Sequence, residues 1–166
     1  MDRTKSIELL NKAVADELQA VHQYMYFHFH LADQGFGPLA TLFKRIAIQE
    51  MGHVEVLAER ILFLKGDVEM LVAGPVEKIK DPEAVLVKAM EMEDDGVRSY
   101  NAAALECGAL ADSASKQIFE QLVKDEEMHY DQYEKQRDNI QRFGPSYLAL
   151  QSFGSGGPEP GAGAAE

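Results

Sequence analysis

The chain has 166 residues, 46% hydrophobic and 27% charged, which is enough for one domain with a sizeable core and excludes a disordered polymer. Its formal charge is -12, so the surface repels nucleic-acid phosphates and anionic membranes and favours cations. One cysteine, Cys107, rules out an intrachain disulfide and fits a reducing compartment. Met1 runs directly into Asp2, Arg3 and Thr4 with no apolar stretch behind a basic start, and no apolar run is long enough to span a bilayer. The expected location is the cytoplasm.

Four long segments carry helical periodicity and none reads as strand. Helix A is predicted over residues 4–33, with the stripe Ile7, Leu10, Val14, Glu17, Val21, Tyr24, His28 and Leu31 stepping by three and four. Gly35-Phe36-Gly37-Pro38 is a turn, and Pro38 suits a first helical position. Helix B runs to about Lys65 on Leu39, Phe43, Ile46, Glu50, His53, Leu57, Arg60 and Leu64, and Gly66 stops it. Residues 67–80 hold Gly74 and Pro75, lack a stripe, and read as a long crossover. Asp81-Pro82-Glu83 opens helix C, which continues to about Leu110 on Leu86, Met90, Glu93, Val97, Tyr100, Ala104 and Cys107. Asp112 or Ser113 caps helix D, whose stripe is Phe119, Leu122, Glu126, His129, Tyr133, Gln136, Ile140 and Phe143. Gly144-Pro145 ends it, and residues 146–153 form a short fifth helix. The domain is expected to cover residues 1–153, with a flexible tail rich in Gly, Pro and Ala over 154–166.

Two helical hairpins, A–B and C–D, joined by one long crossover give an all-α four-helix bundle with ferritin-like connectivity. Its core stripes carry intruders near mid-helix: Glu17 on A, Glu50 and His53 on B, Glu93 on C, Glu126 and His129 on D. On helix C the acids Glu91, Glu93, Asp94 and Asp95 crowd together, and only Glu93 lies on the stripe. Each Glu-x-x-His puts both side chains on one helix face. Four carboxylates buried together repel and cost several kcal/mol apiece, unless something compensates. Two divalent metals carry the matching positive charge, and carboxylate with imidazole suits iron. The set matches the known ligand pattern of di-iron carboxylate bundles. Glu17, His53, Glu93 and His129 would be terminal ligands, and Glu50 and Glu126 would bridge.

Other residues admit more than one reading. Tyr24, two turns after Glu17, is placed to hydrogen-bond a ligand, to give an electron, or to fill the core; Tyr100 bears the same relation to Glu93. His28 suits a core or supporting role, while His22 and His30 suit outer surfaces, and Cys107 reads as a small buried hydrophobe. Met51 follows Glu50 and points about 100° away from the bundle axis. It would pack an interface, or pair across a two-fold axis and ligate a haem from both sides.

From about Ser6 to Leu150 the chain resembles the bacterioferritins, in ADELQAVHQYM (Ala15–Met25), QEMGHVEVLAERILFLKG (Gln49–Gly66), MEDDG (Met92–Gly96) and KDEEMHYD (Lys124–Asp131). The resemblance places that family's di-iron ligands at Glu17, Glu50, His53, Glu93, Glu126 and His129, and its haem-binding methionine at Met51. It implies a shell of 24 subunits with haem shared between two of them. It further implies ferroxidase activity, Fe(II) oxidation by oxygen or peroxide, with ferric mineral stored in the cavity and a ferredoxin-type reductant for its release. Lys44 departs from the tyrosine that many members have there, and Arg45 and Gln49 from the histidine and aspartate that some members have. Asp33, Asp131 and Asp138 match positions lining a small entry pore. The alternatives are a di-iron peroxidase or oxidase without storage, for which a rubrerythrin-type Cys-rich module is missing, and a purely structural bundle.

Overall fold

The computed structural model describes residues 3–153. Helix α1 spans Arg3–Asp33, α2 Gly37–Phe63, α3 Pro82–Ala109, α4 Ser113–Phe143 and α5 Pro145–Phe153. The five elements agree with the sequence reading to within a residue or two at most ends. The tail expected over 154–166 lies outside the described residues. No described helix is long and apolar enough to cross a membrane.

The helix ends follow local chemistry. Asp81 accepts from the Ala84 N–H at 2.9 Å, and Pro82 occupies the first turn. Asp112 caps α4: its Oδ1 accepts from Ser115 N at 3.2 Å and its Oδ2 from Ser115 Oγ at 2.7 Å. Arg60 of α2 donates to Asp112 Oδ1 at 2.5 Å and Ser115 Oγ at 2.9 Å, so it belongs to this cap rather than to the core stripe. At the end of α2 the left-handed residue is Lys65 (φ 69), not Gly66. Gly66 is small for another reason: a Cβ there would lie 2.8 Å from Ile7 Cγ2.

Hairpins α1–α2 and α3–α4 pack against each other around two separate apolar cores. One contains Phe27, Leu31, Phe43, Ile46, Leu86 and Tyr133; the other contains Leu10, Val14, Leu57, Ile61, Tyr100 and Phe119. On α1 the buried stripe drifts from the expected one, taking Ala20 and Phe27 instead of Val21 and His28. The buried positions Glu17, Ala20, Tyr24, Phe27 and Leu31 keep the alternating step of three and four, so the expected stripe misplaces only two members, each by one residue or about 100°. His28 is half-buried, with Nδ1 2.8 Å from Ala40 O, and Phe143 is exposed.

The crossover lacks a stripe because it is held by hydrogen bonds rather than by apolar burial. Three side-chain amides of α1 each grip its backbone at two points. Asn11 donates to Asp67 O at 2.9 Å and accepts from Glu69 N at 3.1 Å. Gln19 donates to Pro75 O at 2.9 Å and accepts from Gly74 N at 3.1 Å. Gln23 donates to Glu77 O at 2.9 Å and accepts from Glu77 N at 2.7 Å. An amide offers donor and acceptor side by side, as a strand edge does. Gln23 is buried, so Gln23→Leu strips two backbone groups of their partners. Urea unfolding is expected to show a loss of about 1–3 kcal/mol.

Candidate metal centre

Between the two apolar cores lies a single polar layer. Glu17, Glu50, Glu93, Glu126 and His129 are buried, each 5% exposed or less, and the His53 side chain is 12% exposed. Each sits mid-helix, so the bundle itself aligns all six at one depth. The donors fall into two groups whose atoms lie within 4.8 Å of one another: Glu17, Glu50, His53 and Glu126, and Glu50, Glu93, Glu126 and His129. Glu50 and Glu126 belong to both.

His53 Nδ1 is 2.9 Å from Glu50 Oε2, 3.3 Å from Glu17 Oε1 and 3.4 Å from Glu126 Oε1. His129 Nδ1 is 3.1 Å from Glu50 Oε1 and 3.5 Å from Glu93 Oε2. These contacts are close but are not aligned as hydrogen bonds. Both Glu50 oxygens, Glu93 Oε2, Glu126 Oε1, His53 Nδ1 and both His129 nitrogens lack a hydrogen-bond partner. Buried polar atoms in a protein are nearly always paired. So many unpaired donors and acceptors crowded together fit a pair of cations held among them. Oxygen-rich sites with imidazole suit iron or manganese.

Two tyrosines support the layer from opposite sides. Tyr24 of α1 donates to Glu93 Oε1 of α3 at 2.5 Å, and Tyr100 of α3 donates to Glu17 Oε1 of α1 at 2.8 Å. Tyr24 therefore does meet a candidate ligand, though not the glutamate on its own helix, and Tyr100 is its counterpart. Gly96 also serves the layer: a Cβ there would lie 3.2 Å from Glu126 Oε2 and 3.4 Å from its Cγ. Its cue in the sequence is a glycine in mid-helix, where it is unfavourable unless space demands it. Asp125, beside Glu126, places Oδ2 3.5 Å from His53 Nε2; the sequence reading passed over it.

Other expected residues fall elsewhere. Met51 is 52% exposed on the outside of α2, Cys107 is buried, and His22 is exposed. His30 packs against the Tyr26 ring at 4.3 Å between centroids. Lys44, Arg45 and Gln49 are exposed, and Arg45 donates to Gln132 Oε1 at 2.5 Å. Asp33, Asp131 and Asp138 are exposed; Asp131 pairs with Lys135, and Asp138 with Arg137 at 2.8 Å.

The comparisons with known proteins point one way. The family model for the ferritin-like domain matches residues 7–143. A bacterioferritin of Desulfovibrio desulfuricans is 36% identical over 147 residues, 89% of this chain and 82% of that protein. One from Rhodobacter capsulatus is 37% identical over 147 residues, 88% and 91% of the two chains. The chain belongs to the bacterioferritin family. A solved D. desulfuricans bacterioferritin structure, which describes the diiron site in different catalytic states, superposes with TM-score 0.88 at 34% identity, covering 96% of this chain and 95% of that one. The R. capsulatus structure, with a metal-free dinuclear site and haem iron in a crystallographic special position, gives 0.86 at 34% identity, covering 96% and 98%.

Titration of this bacterioferritin's metal-free layer has a definite sign. Burial, then repulsion by Glu50 and Glu126, pushes the Glu17 carboxyl well above its usual range. Burial likewise raises Glu126 and Glu93. Burial opposes the charge of Glu50 too, but the two imidazoles outweigh it and hold that carboxyl at about 2. Burial disfavours the charged imidazoles, yet the carboxylates prevail: His53 is raised, and His129 is pushed up to about 10. Groups raised on folding stabilise below their unfolded values and lose that contribution as pH climbs through the folded ones. Melting of the chelator-treated protein is therefore expected to fall as pH rises from 6.5 to about 10. Bound metal replaces the protons and flattens the curve. Calorimetry with and without metal checks both slopes.

Proposed function

We propose that the chain oxidises Fe(II) at its carboxylate layer and stores the ferric product as mineral inside a hollow shell of 24 copies of itself. The observation that carries this reading is the pair of four-donor groups sharing Glu50 and Glu126. Glu17 and His53 would hold one iron, Glu93 and His129 the other, with Glu50 and Glu126 between them. Two Fe(II) together supply two electrons, which matches reduction of oxygen to peroxide or of peroxide to water. The protein's part is to bind and hold. Four carboxylates cancel the charge of two divalent ions. Tyr24 and Tyr100 fix the outer oxygens of Glu93 and Glu17, and an apolar core packs against the layer on either side. The charge of -12 draws ferrous ions toward the surface. The chemistry fits a reducing cytoplasm, with electrons for mineral release from a ferredoxin-type partner.

The test is to add a large excess of Fe(II) per chain in air and follow oxygen uptake and the iron retained on gel filtration. The wild-type protein is expected to keep far more than two irons per chain in a shell-sized particle. Glu50→Ala and His129→Ala should lose at least the roughly 10–100-fold that even an outer partner of a metal ligand is worth. Saturation near two irons would favour a di-iron peroxidase or oxidase instead. Variants that behave as wild type would remove the site assignment.

The haem reading rests on the outer face of α2. Met51 is exposed beside Gly52, where an added Cβ would meet nothing within 4 Å. A mid-helix glycine costs about 1 kcal/mol relative to alanine. Among the described residues nothing requires it, which leaves room for a group held between two copies. A thioether from each copy would hold such a haem, which would supply one-electron chemistry. Met51→Leu should abolish the haem absorbance of the purified protein while leaving its capacity for non-haem iron unchanged.

A further inference from the structure

The six donors are nearly symmetric in type, but their access is not. Among the described residues, two cavities open onto the layer. One is a cavity of about 250 Å³ between α1 and α3, with Glu17, Tyr100 and Glu126 among its lining and Lys12, Asp16 and Ser99 toward solvent. The other, about 450 Å³, lies between α2 and α4; it is flanked by Val56, Ile118 and Leu122 and reaches His53 and Asp125. Glu93 and His129 line neither opening. The His129 side chain is 0% exposed, against 12% for His53. The outward nitrogen of His53 faces Asp125 at 3.5 Å, whereas His129 Nε2 is buried without a partner. The Glu17–His53 half thus touches both openings, and the Glu93–His129 half is sealed behind it.

We propose that the centre fills in a fixed order, through the opening between α1 and α3. A divalent cation occupies the Glu17–His53 position first and reaches the Glu93–His129 position only from there. Lys12 sets the entry rate. Its ammonium donates to Asp16 Oδ2 at 2.9 Å and to Ser99 Oγ at 3.0 Å, bridging the two helices on the solvent side of the cavity. That places a positive charge in the path of any incoming cation and occupies Asp16, while Asp95, the other carboxylate at the mouth, is paired with Arg98. The order rests on the metal reading above, so the test uses a probe that needs no oxidation chemistry.

The probe is Co(II) added to the metal-free full-length protein under argon. Visible titration gives the stoichiometry and stopped-flow absorbance the rate. Wild type is expected to take two Co(II) per chain. Glu93→Ala and His129→Ala should take one, at the wild-type initial rate. Glu17→Ala and His53→Ala should lose the fast step and fill the remaining position more than about tenfold slower. Lys12→Met should speed the first step without changing the stoichiometry. If all four ligand variants keep one fast-loading Co(II), or the Glu93 and His129 variants are the slow ones, the order is overturned. An unchanged rate in Lys12→Met overturns the route. A wild-type protein that binds no Co(II) would fail the metal reading itself, a different outcome from any of these.

Discussion

Four carboxylates buried in one layer are the constraint on which the rest of the structure depends. They divide the interior into two apolar cores, and each core must hold the helices firmly enough to keep like charges together. Without metal, two imidazoles are the only buried cations in the layer, and they cannot neutralise four carboxylates. The remaining imbalance appears as raised carboxyl groups at Glu17, Glu93 and Glu126, with Glu50, which both imidazoles face, carrying the charge. A fold that accepts this cost in its centre has been shaped around what neutralises it. The cost also explains why the layer sits at mid-helix. Helix ends fray, and a site there could not hold six donors in register.

The layer is built by an approximate two-fold repeat that runs through the hairpins. Helices α1 and α3 each supply one glutamate and, two turns on, one tyrosine. Because each tyrosine reaches across to the other helix, Tyr24 to Glu93 and Tyr100 to Glu17, the two hairpins are tied at the height of the site. Helices α2 and α4 each supply Glu-x-x-His. The repeat breaks one residue before those glutamates. Asp125 precedes Glu126 and faces His53, while exposed Gln49 precedes Glu50 and leaves His129 Nε2 unpaired. A carboxylate behind an imidazole fixes its ring and raises its basicity, so the two histidines are not equivalent ligands.

Much of this was legible in the sequence. The helices announced themselves by period, and the six donors stood out because a charged residue on an apolar stripe has few innocent explanations. What escaped was whatever depends on a second helix. Stripe A slipped by one position at Val21 and His28, because a local pattern cannot say how a long helix turns against its neighbours. Spacing puts Tyr24 on the face of Glu17 and within reach of a ligand, but not which one; its bond goes to Glu93, sixty-nine residues away. Asn11, Gln19 and Gln23 carry no sequence cue, since nothing local marks an amide that will grip a crossover fifty-odd residues later.

The mid-helix and helix-end glycines show how one weak signal divides once structure is present. Gly66 makes room for Ile7, where the end of α2 meets α1. Gly96 makes room for Glu126 and so belongs to the carboxylate layer. An added Cβ at Gly52 would meet nothing within 4 Å among the described residues. Each forgoes the helical preference of a larger residue, and in the first two cases the neighbour that benefits can be named. Gly52 has no such neighbour among the described residues and sits beside the exposed thioether of Met51, so the space it leaves open is the space the proposed haem would need.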